Sequence, residues 1–346
     1  MQYNDLKNWS PPDNWLEINT LDIHAEGEPL RIILSGYPLL KGNTVLEKRA
    51  DAQAHHDKLR QALLWEPRGH EDMYGAIIVD PDSDDAHFGA IFIHNDGYST
   101  GCGHAVIGLT KAFIETGLIE KKEPVTELKM DVPSGLISSY ARVQNGKILD
   151  ISFQNVPSFV QLLDEKLNVP GLGTIHYDLA FGGAFYAFVD ADQLGLKCSR
   201  EFQSELKTVG MKIKNEIMAT VEMKHPIEPN MNFLYGTIFT CPAWEEENHS
   251  RNVCIFANGQ IDRCPTGTGV SARAAIHYSR GELKIGESII IESIIGSTFS
   301  VQVVSVTKFG SYDAVIPQVS GNAFIIGRNQ FWINPEDPFQ TGFILK

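Results

Sequence analysis

Residues 262–270 read Asp-Arg-Cys-Pro-Thr-Gly-Thr-Gly-Val, and residues 101–106 read Gly-Cys-Gly-His-Ala-Val. In both, a residue of nucleophile type precedes a glycine, a polar residue, a small residue and a valine. Both open a stretch of helical character, "GHAVIGLTKAFIETG" and "GVSARAAIHYSRG". Cys102 and Thr266 hold matching places nearly half a chain apart, and each follows a strand-and-turn signal, "GAIFIHNDGYST" or "NVCIFANGQID". A unit recurring at that interval predicts two similar lobes, each presenting a helix N-terminus.

Around these turns, short β-branched runs bounded by Gly, Pro, Asn or Asp predominate, among them "LRIILSG", "YGAIIVD", "KILDISFQNVPS", "GTIFTCPA" and "STFSVQVVSV". They are strand signals, and helical candidates such as "TVLEKRADAQAHHDKLRQALLW" and "REFQSELKTVGMKIKNEIMATV" are fewer and scattered among them. The pattern predicts mixed α/β (α+β) lobes more than a doubly wound sheet. We place an N-terminal lobe with the Cys102 helix at 1–150, completed by 325–346, and a C-terminal lobe with the Thr266 helix at 151–324.

A hydrophobic share of 43% supplies a core, and a formal charge of −14 argues against nucleic acid or an anionic membrane as partner. The opening "MQYNDLKNWSPPDNW" lacks the basic and apolar regions of a secretory signal, and "ESIIIESIIG" is a strand rather than a membrane span. Five cysteines without a CxxC pair predict free thiols in a reducing, cytoplasmic setting, with Cys198, Cys241 and Cys254 structural. "AHHD" (54–57) and "GHED" (69–72) read as solvated residues without a metal-ligand set, and "EEENH" (245–249) as an exposed acidic loop.

The first amides of a helix have no intrahelical partner and carry the positive end of its dipole. Two such termini facing one cleft would hold a carboxylate, and the same field is expected to lower the pKa of Cys102. A carbanion beside a carboxylate is stabilised by preorganised amides without any cofactor, and no dinucleotide or Walker signature is present. Cys264 precedes a φ-locked proline two residues before the helix opens, so its thiol is expected to point elsewhere.

"GCGHAVIG" with "DRCPTGTG" resembles the paired signature of the proline racemase family, and "DIHAEGEPLRII", "EPRGHEDMYGAIIVDP" and "LAFGGAFYAFVDA" are similar to further family segments. The resemblance runs from about Ile18 to the C-terminal region. It implies a diaminopimelate-epimerase-like fold, with each lobe wrapping strands around a central helix and the active site between them. Family racemases and epimerases carry a cysteine on both turns. Thr266 in the second place matches the trans-3-hydroxy-L-proline dehydratase branch, which implies loss of water rather than inversion. The resemblance further implies that Cys102 removes the α-proton. It implies too that the amides of Gly103, His104, Gly267 and Thr268 hold the carboxylate, that Asp262 takes the ring amine, and that Thr266 orients the ring or a water. It implies a cyclic imino acid as ligand, no cofactor or metal, and a homodimer. Gly101, Ala184 and Cys264 depart from residues more usual in the family. The alternatives are a racemase or epimerase pairing Cys102 with Cys264, and an inactive imino-acid-binding homologue.

Overall fold

The computed structural model describes residues 9–345; residues 1–8, which begin the segment expected to lack a secretory signal, and residue 346 lie outside it. Two lobes with the same strand order make up the molecule, and the repeat is clearest where strands run parallel. Parallel neighbours need a crossover, usually helical. Arg31–Ile33 run parallel to Gly75–Ile77, and helices Val45–His55 and Asp57–Leu64 cross between them. In the second lobe, Phe185–Asp190 run parallel to Leu234–Thr240, with helix Gln203–Thr220 between. A shorter parallel contact follows in each lobe: Phe88 and Gly89 on Met130 and Asp131, then Ser250 and Arg251 on Ile291 and Glu292. The crossovers of these last pairs are the helices Gly103–Glu115 and Gly267–Ser279.

Those two helices are buried on every side for most of their length, as helices in the centre of a barrel must be. Strand Tyr312–Gly321 closes the second lobe by pairing Ala314 with Phe159, and joins the first by pairing Gln318 with Gln154. Strand Ala323–Ile333 returns to the first lobe and lies antiparallel to Leu16–Ala25. One apolar core runs through both helices, from Ala105, Val106 and Leu109 to Cys264, Val270 and Ala274. No described helix is long and apolar enough to cross a membrane.

Three expectations need correction. The long run over 44–65 is two helices broken at His56: Thr44 and Glu47 form a capping box on the first. The second turns so that Arg60 reaches the carbonyls of His94 and Asn95 at 2.7 and 2.6 Å. The five thiols are not all free, because Cys198 and Cys241 form a disulfide with Cα atoms 6.1 Å apart. The parallel register that sets Asp190 beside Thr240 brings their flanking segments together. Asp72, expected to be solvated, is buried and pairs with Arg263 at 2.7 Å. Glu245, Glu246 and Glu247 are exposed, as expected of an acidic loop.

Candidate active site

The two central helices meet end to end. A Cβ built on Gly267 would lie 2.9 Å from the Gly103 Cα, and one on Gly103 would lie 2.9 Å from Phe153 Cζ. Real Cβ contacts are longer, so only glycine allows the N-termini to touch. Their unpaired amides therefore point into one space, a cavity of about 630 Å³ lined from both lobes. Cys102, Gly103 and His104 line it from one side, and Asp262, Thr266, Gly267 and Thr268 from the other.

Cys102 is the N-cap of its helix in an extended conformation, φ −158° and ψ 109°. Its sulfur lies 3.1 Å from His104 Nδ1. Burial lowers the His104 pKa to about 3, so the ring is neutral. Burial also pushes the Cys102 thiol well up, while the Ala105 amide and the Tyr74 hydroxyl hold it down less strongly. Desolvation thus works against the lowering expected from the helix field, although Cys102 is only partly buried.

Thr266 caps the second helix at φ +70°, a region that costs a β-branched residue roughly 1–3 kcal/mol. Its hydroxyl donates to Asp262 Oδ2 in a short contact, and its amide donates to Cys264 Sγ at 3.4 Å. Cys264 is 1% exposed, sits in the shared core and does not line the cavity. Of the three free cysteines, only Cys102 reaches it.

Behind Asp262 lies a cluster that sequence reasoning passed over. The fully buried Glu28 accepts the Arg263 amide at 2.5 Å, and its other oxygen has no hydrogen-bond partner among the described residues. Arg263 pairs with Asp72, which Lys207 approaches at 3.5 Å. Burial raises Asp262 to about 7, against the pull of the Thr266 hydroxyl and Arg263. Glu28 is also raised, by burial and by Asp262.

The Asp262 shift has a consequence for stability. A carboxyl that ionises near 4 unfolded and near 7 folded leaves stability intact below the lower value and removes it as pH rises through the upper. Asp262→Asn is therefore expected to melt with the wild type at pH 4 and above it at pH 8. Equal differences at both pH values in a thermal melt would contradict the assignment.

Also lining the cavity are Tyr74, Ser99, Asn155, Tyr186 and Tyr235. Tyr186 and Thr268 share a hydroxyl hydrogen bond at 2.7 Å, which ties the second helix to its barrel wall. Tyr74 and Tyr186 fall inside strand-like runs whose apolar pattern hides their role; a polar tip at a strand end facing a helix N-terminus was the available signal.

Comparison with known proteins points to one family. The profile of a family described as proline racemase matches residues 20–344. A trans-3-hydroxy-L-proline dehydratase from Colwellia psychrerythraea is 49% identical over 344 residues, covering 99% of this chain and 97% of its own. One from Bacillus cereus is 44% identical over 326 residues, covering 94% and 97%. Among solved structures, a hydroxyproline epimerase from Agrobacterium vitis with bound trans-4-hydroxy-L-proline matches with a TM-score of 0.89 at 32% identity, covering 96% of each chain.

Proposed function

The chain belongs to the proline racemase family, and on that footing we propose that it dehydrates trans-3-hydroxy-L-proline to Δ1-pyrroline-2-carboxylate with Cys102 as its single base. The observation that carries this reading is the asymmetry of the two turns. One brings a thiol to the cavity; the other brings a threonine whose hydroxyl is committed to Asp262, with Cys264 buried behind it. The relatives of 49% and 44% identity that bear the dehydratase name support the same substrate.

The substrate enters as a zwitterion. Its carboxylate sits at the amides of Gly103, His104, Gly267 and Thr268, and its ring amine faces Asp262. The incoming positive charge favours a thiolate at Cys102, and the incoming negative charge favours an imidazolium at His104. Binding thereby moves the thiol proton across the 3.1 Å to Nδ1. The thiolate takes the α-hydrogen, and charge flowing into the carboxylate meets donors already in place. Loss of the C3 hydroxyl as water, with the proton that the thiol took, restores the thiolate and gives an enamine, which tautomerises to the cyclic imine. In trans-3-hydroxy-L-proline the α-hydrogen and the hydroxyl share a ring face, so one base serves.

Assay against trans-3-hydroxy-L-proline, cis- and trans-4-hydroxy-L-proline and L-proline tests the reading. Imine is expected from the first alone, with optical rotation of the others unchanged. Inversion of L-proline or of a 4-hydroxyproline at a comparable rate would instead make the enzyme a racemase or epimerase. A rise in melting temperature without turnover would make it a binding protein.

A further inference from the structure

Three cavity-lining hydroxyls have no part in the steps above. Tyr74, at the start of its strand, is 3% exposed, and its hydroxyl donates to Ser99 Oγ at 2.7 Å. Ser99 Oγ lies 3.5 Å from the hydroxyl of Tyr235, which comes from the other lobe. On the near side, Tyr74 and Cys102 line the same cavity, and the Cys102 sulfur lies 3.1 Å from Nδ1 of His104. The Tyr74 ring is held edge-on to His104, centroids 4.7 Å apart, and stacked on His94 at 5.9 Å. A file of hydroxyls therefore leads from the thiol across the cleft, with its first oxygen fixed in place.

Phenylalanine at 74 would pack equally well without a polar atom to satisfy. What the hydroxyl adds follows from stereochemistry. A base that removes the α-hydrogen of trans-3-hydroxy-L-proline stands on the face that carries the 3-hydroxyl. A phenol beside that base borders the leaving group too.

Resting on the reading of Cys102 as the base, we propose that Tyr74, backed by Ser99 and Tyr235, passes the proton from the Cys102 thiol to the departing 3-hydroxyl, and so favours substrates hydroxylated there. Cys102 takes the α-hydrogen, its S–H bond forming as the Cα–H bond breaks. The freed electron pair makes the Cα–C3 double bond as C3–O breaks. The phenol gives its proton to the leaving hydroxide and receives the proton of the thiol, so water departs and the thiolate is restored. Ser99 turns its hydroxyl toward the phenol oxygen while it is charged, and Tyr235 turns toward Ser99.

The test runs wild type, Tyr74→Phe and Ser99→Ala in D2O with trans-3-hydroxy-L-proline, following both imine and α-deuterium in unreacted substrate. Tyr74→Phe is expected to slow imine formation by about 10²-fold or more, the usual worth of a general acid. Deuterium then accumulates in recovered substrate ahead of product, and Ser99→Ala moves the same ratio less far. With α-deuterated substrate, the isotope effect in Tyr74→Phe falls toward unity, since C–O cleavage has become slow. A structural defect would lower exchange and elimination together; that result, or unchanged elimination in Tyr74→Phe, overturns the relay. Should Cys102→Ser dehydrate at the wild-type rate, the base assignment falls first, and the relay with it.

Discussion

Cys102→Ser is expected to reduce dehydration of trans-3-hydroxy-L-proline by about 10³-fold or more while substrate still raises the melting temperature. Serine preserves the extended N-cap and nearly the volume, so the carboxylate amides stay in place. What disappears is an acid weak enough to be a base yet strong enough to ionise beside a bound ammonium. Even the thiol is pushed well up by burial, and an alcohol in the same surroundings starts from a much higher value. The companion variant is Cys264→Ser, whose hydroxyl can accept the Thr266 amide as the sulfur does at 3.4 Å. It is expected to keep most activity. Imine formation by the two purified variants decides the matter: a dead Cys264→Ser with intact melting would restore the two-cysteine reading, and an active Cys102→Ser would remove the single-base one.

The two-lobed architecture was legible because its signal is local and doubled. Strand, turn and helix opening recur around Cys102 and Thr266, and apolar runs of four to eight residues mark most strands. The break at His56 was not legible, since it depends on where Arg60 finds carbonyls on a distant strand. Nor was the Cys198–Cys241 disulfide, whose partners are 43 residues apart and meet only through the register of parallel strands. The residues facing the cavity at the two turns were read from their motifs, but their electrostatics were not. Helix termini favour a thiolate at Cys102, yet the size of the desolvation cost is set by how completely both lobes close around it. Glu28 and Asp72 escaped for a related reason: a carboxylate in a turn-rich run looks solvated until the chain buries it against Arg263.

Gly267→Ala is expected to cost about 1–3 kcal/mol of stability through overpacking, and to lower kcat/KM by roughly 10²-fold or more. The added methyl would lie 2.9 Å from the Cα of Gly103, which is backbone and cannot rotate away. One helix must then back off the other along its axis. That motion separates the amide pairs proposed to share the carboxylate, and it carries Cys102 away from Asp262 and Thr266. A displacement near 1 Å is enough for the loss in rate, because elimination needs the sulfur in line with the α-hydrogen while the donors hold the growing charge. Gly103→Ala has the same effect with an added contact, 2.9 Å to Phe153 Cζ, and that ring can yield. The rate loss is therefore expected to be at least as large for Gly267→Ala as for Gly103→Ala. Activity and chemical melts of the two variants provide the check: full activity in Gly267→Ala would mean that the carboxylate does not bridge the two helix termini.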